Sequence, residues 1–71
     1  MDEEAFNLEI RKFLKRFGVT AQQEIEKAVD AALKRGVLQG TELLPVHATL
    51  AIPGVLSNLQ IDGEIALARR P

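Results

Sequence analysis

With 71 residues the chain has room for one small domain, and a domain of that size buries only about 60% of the surface its unfolded form exposes. It contains no cysteine and a single histidine, His47, which excludes disulfides, thiolate metal sites, a cysteine nucleophile and any multi-histidine metal cage within one chain. Nine basic side chains against ten acidic ones give a net charge of −1, unlike the clearly basic balance of a generic polyanion binder. No cofactor is expected, and stability must come from an apolar core or from self-association.

The start, Met1-Asp2-Glu3-Glu4, is acidic where a secretory signal is basic. No apolar run approaches the ~20 residues of a membrane span. A cytoplasmic protein without a membrane span is the expectation.

Residues 2–17 read as the first helix. Phe6, Ile10, Phe13, Leu14 and Phe17 form one apolar stripe at helical spacing. The acids of the first turn and Lys15 and Arg16 of the last suit the helix dipole, and Gly18 is the natural left-handed stop. A second helix is expected over 21–35. Thr20 is its N-cap, Gln23 completes a capping box, and Ile25, Ala28, Val29, Ala32 and Leu33 form its stripe before Gly36 ends it. A connection this short makes the two helices neighbours. In that packing the alanines permit close approach and Phe13 is a central core residue, against Val29 or Leu33 and the hairpin.

Residues 36–45 form an apolar connector without a clean period, with a short extra strand at 37–44 as one option. From Val46 the period becomes two. Strands are expected over 46–52 and 58–68, joined through Pro53-Gly54. Asp62-Gly63 is a turn signal too, but a turn there breaks the alternation of Leu59, Ile61, Gly63, Ile65 and Leu67, so the strand is read straight through it. Parity pairs an even-numbered inward residue with an odd-numbered one. Leu50 opposite Ile61 is the central choice, with Gly63 the nearest alternative. The fold class is α+β, a two-helix hairpin on a C-terminal antiparallel β-hairpin (ααββ), in one domain spanning 1–71.

Two clusters carry chemistry worth weighing. Histidine is the side-chain type whose charge change falls near neutral pH, and this register puts His47 opposite Glu64, with Thr49 opposite Asp62. Such a His–carboxylate cluster can transfer protons, and Asp62 and Glu64 at i and i+2 can contact a hard cation. The plainer reading is an exposed polar strand face, because a flat hairpin excludes no water. No catalytic constellation is visible, so an enzyme is not expected.

The second cluster is the basic surface of Arg11, Lys12, Lys15 and Arg16, with Leu8 projecting from its middle. It suits a nucleic-acid backbone, an anionic membrane or an acidic partner; its plainer reading is a solvated face balanced by Glu4 and Glu9. A helix-turn-helix reading puts Gln22, Gln23, Glu26 and Lys27 near base edges. Glu24, Glu26 and Asp30 against Lys27 alone is the wrong charge for that role.

The whole chain resembles a family of small, uncharacterised proteobacterial proteins known only as a domain of unknown function. The resemblance lies in Phe6-Asn7, Ile10-Arg11-Lys12-Phe13-Leu14-Lys15, Gly18-Val19-Thr20 and Glu24-Ile25-Glu26-Lys27-Ala28. It continues in Leu44-Pro45-Val46, Thr49-Leu50, Ile52-Pro53 and Ile61-Asp62-Gly63-Glu64-Ile65. It implies a bacterial cytoplasmic origin and carries over no functional residue. The expected function is a non-enzymatic protein–protein interaction or self-association domain. Its partner is either a second copy, joined through the hairpin edge that a two-stranded sheet leaves unpaired, or an unidentified protein. The alternative is a nucleic-acid-binding accessory protein using the basic face of the first helix.

Overall fold

The computed structural model describes residues 1–69. The order of elements is one helix, α1 (Glu3–Lys34), then β1 (Leu43–Ile52) and β2 (Leu56–Ala66). The chain is α+β, but the expected two-helix hairpin is not formed. Two compact units result, one covering Met1–Val37 and one beginning at Leu38.

In the first unit, Asp2 caps α1, its Oδ1 accepting from the Ala5 N–H at 3.1 Å, and Glu3 and Glu4 follow in the first turn. The helix then runs straight through Gly18 and Thr20, the residues expected to end one helix and begin another. Gly18 has no positive φ, and helical glycine costs only about 1 kcal/mol relative to alanine. Breaking the helix there would leave unpaired N–H and C=O groups on both sides of the break. Continuity also suits the apolar pattern, since at about 100° per residue the two expected stripes centre about 85° apart and overlap on one side of the helix. The C-terminus closes as the sequence indicates. Gly36 at φ 76° lets its N–H reach the Leu33 carbonyl and the Val37 N–H reach that of Ala32, at 3.1 and 2.9 Å. This is the paired-bond glycine cap.

A continuous helix overturns the expected core position of Phe13. Val29 lies on the same rod, about 24 Å further along its axis at 1.5 Å per residue, so the two cannot pack. Phe13 is 51% exposed, and its ring neighbour is Phe17, with centroids 6.4 Å apart. No described residue is fully buried.

In the second unit β1 and β2 pair antiparallel. The connector contributes Leu43 and Leu44 to β1, which starts earlier than expected and continues unbroken, so no separate strand forms at 37–44. The turn is Ile52-Pro53-Gly54-Val55. The Val55 N–H donates to the Ile52 carbonyl at 2.9 Å, and Gly54 sits at φ 77°, as the third residue of a type II turn requires. β2 passes straight through Asp62-Gly63, where a side chain on Gly63 would approach Val46 Cγ1 to 3.5 Å.

The register keeps the expected parity but is displaced by two residues. Leu50 stands opposite Leu59, neither Ile61 nor Gly63, and Ala48 stands opposite Ile61. The pairing shifts between Leu50 and Ile52 as the strands enter the turn. One face then carries Leu44, Val46, Ala48 and Leu50 against Ile65, Gly63, Ile61 and Leu59; the other is largely polar.

Candidate functional site

Three arrangements are available to do something. The first is the polar strand face. Its register brings His47 opposite Asp62, leaving Thr49 opposite Gln60 and Glu64 opposite Pro45, so the expected His47–Glu64 pair is not formed. His47 Nδ1 lies 2.7 Å from Asp62 Oδ1, and Gln60 Nε2 donates to the same oxygen at 2.9 Å. The Gln60 amide and then the His47 ring hold the Asp62 carboxyl below its usual range, since donors to the charged form favour it. An ionised carboxylate only accepts, so Nδ1 is the donor of this pair.

That dyad fixes an imidazole tautomer and little else. The His47 and Asp62 side chains are each about 60% exposed, at 62% and 61%. No hollow encloses them to exclude water or orient a substrate. Among the described residues, no three histidine, aspartate or glutamate side chains group as metal ligands.

The second arrangement is one the sequence reading missed. Glu42, just before β1, folds its carboxylate back onto its own loop. It accepts the Gln39 N–H at 2.9 and 3.2 Å, the Gly40 N–H at 3.0 Å and the Thr41 N–H at 3.2 Å. These bonds, that from Gln39 foremost, lower its pKa. The site anchors the loop, and its anion position is filled by Glu42 itself. The signal was a carboxylate two residues after a glycine in the connector; Gly40 takes φ 98°, which helps turn successive N–H groups inward.

The third is the surface of α1. Leu8 is 58% exposed, and the helical period spreads Arg11, Lys12, Lys15 and Arg16 around it. Lys12 pairs with Glu9 at 3.4 Å. Farther along this side lie Glu26 and Asp30, so the basic patch is confined to the first half of the helix. A continuous helix also removes the helix-turn-helix reading, which needs a turn before the recognition helix. Opposite the basic side, the stripe from Phe6 to Ala32 is unbroken. It includes a shallow hollow lined by Phe13, Arg16, Phe17, Thr20 and Ala21, where small residues follow the aromatic ones. No described helix is long and apolar enough to cross a membrane.

The geometry defines a small α+β protein with apolar faces on its helix and its hairpin. The chain belongs to the family of unknown function DUF6494, which matches residues 1–68. No curated protein and no solved structure matches it.

Proposed function

We propose that this chain is a non-enzymatic interaction domain that works by self-association. The observation that carries the reading is the stripe of α1. A lone helix cannot cover its own apolar face, and Phe6, Phe13, Leu14 and Phe17 all stand exposed along it. Exposed apolar surface of this extent marks a site of association. The hairpin adds support. Two strands alone are marginal, and both outer edges of this two-stranded sheet are open for pairing.

Sedimentation equilibrium of the full chain across a wide concentration range tests the proposal. Self-association gives a mass that rises to a defined oligomer. A single species at monomer mass up to about millimolar concentration overturns it.

A further inference from the structure

Eight residues of the α1 stripe are placed symmetrically along the helix, a set that leaves out its other apolar members Leu14, Val29 and Leu33. Phe6, Ile10, Phe13 and Phe17 occupy the first half, and Ala21, Ile25, Ala28 and Ala32 the second. The steps between successive members are four, three, four, four, four, three and four residues, the same read from either end. The centre of this palindrome is position 19.

We infer that α1 pairs antiparallel with α1 of a second copy, about a two-fold axis near Val19. The inference rests on the self-association reading and names its surface. In this register Phe6 meets Ala32 of the second copy, Ile10 meets Ala28 and Phe17 meets Ala21, while Phe13 meets Ile25. Three of the four layers match a large side chain to a small one, so the axes keep a more even spacing than any pairing of like halves allows. A parallel in-register pair would set phenylalanines on phenylalanines at one end and alanines on alanines at the other. Straight rods cannot be wide apart and close together at once. The mean step of the stripe slightly exceeds the 3.6 residues of a helical turn, which suits a right-handed crossing of the two helices.

The flanking charges agree with the same centre. The register brings Arg16 toward Glu24 of the second copy and Glu9 toward Lys27, each pairing centred within about one residue of position 19. The helix dipoles also oppose head to tail. The hollow at Phe17 and Ala21 falls beside the axis, where the two copies of Phe17 cross over.

The pairing explains why a continuous helix carries the pattern of a helical hairpin. Folding back at Gly18 would bring the same side chains together within one chain. A helix that does not bend can make those contacts only with another copy, which is the relation between a closed monomer and a swapped dimer.

The chain has no cysteine, so single spin labels can be placed at will. Full-length Val19→Cys, Glu4→Cys and Lys34→Cys variants, each labelled, are measured by pulsed electron spin resonance, with sedimentation on the same samples. The antiparallel pair gives its shortest label separation at position 19 and about 45 Å or more at both 4 and 34, from 1.5 Å of rise per residue. A dimer with similar short distances at all three positions overturns the antiparallel register and leaves self-association standing. So does a dimer in which none of the helix labels couple. Monomer mass throughout overturns both readings.

Discussion

His47 stands directly opposite Asp62 across the hairpin, its Nδ1 2.7 Å from Oδ1 of the carboxylate. Gln60, two residues earlier on the same strand, donates to that same oxygen. The Asp62 carboxyl is therefore expected to titrate below the usual aspartate range, near 3.9 for about the unperturbed group. Its folded pKa is depressed, so the stability it contributes is present above the unfolded pKa and is lost as the pH falls through the folded one. Carboxyl-carbon NMR titration measures this directly. Gln60→Ala and His47→Ala should each raise the midpoint; an unchanged midpoint in both variants would remove these side chains as the cause.

Glu42 supplies a second acid-sensitive feature. Its carboxylate gathers the N–H groups of Gln39, Gly40 and Thr41, and its pKa is lowered by them. By the same sign, the loop is anchored above the unfolded glutamate pKa, about 4.3, and is released as the pH drops through the lower folded value. Amide hydrogen exchange at Gly40 and Thr41 should speed up in Glu42→Gln at neutral pH. Equal protection in the variant and the parent would show that the carboxylate does not hold the loop.

The same glycine-to-alanine change should act in opposite directions at two positions. Gly18 is helical, and an added Cβ there meets nothing within 4 Å, so Gly18→Ala should raise helicity and stability by about 1 kcal/mol. Gly36 sits at φ 76°, where a side chain is disfavoured by about 1–2 kcal/mol, so Gly36→Ala should lower stability. Circular dichroism melting of the two variants compares them. A loss of helicity in Gly18→Ala would place a break at that residue.

Overpacking tests the antiparallel pair without disturbing the lone helix. Ala28→Phe would set a phenylalanine against Ile10 of the second copy, at a cost of about 1–3 kcal/mol at each of two symmetric sites. Every ~1.4 kcal/mol is tenfold in dissociation constant. Association should therefore weaken by at least about tenfold, with helicity retained at concentrations where the parent is also monomeric. Undiminished association would exclude Ala28 from the contact.

Much of the local structure was written in residue types. Gly36 as a helix stop, Pro53-Gly54 as the turn and the alternation through Gly63 depend on dihedral preferences and side-chain period, which short segments carry by themselves. The odd-with-even parity of the strand pairing follows from the same alternation. Other features depended on competition between alternatives that local patterns leave nearly equal. Gly18-Val19-Thr20 offers a stop and a start, yet the small cost of one helical glycine is outweighed by backbone bonds on both sides of it. Moving the strand register by two residues keeps every side chain on its face, so the choice of Leu59 over Ile61 opposite Leu50 lay with the turn geometry. That choice decided the polar site, pairing His47 with Asp62 and leaving Glu64 beside Pro45. The loop anchor at Glu42 left only a faint trace, a carboxylate two residues after Gly40, because a carboxylate that bonds its own backbone is recognised by where successive N–H groups converge in space.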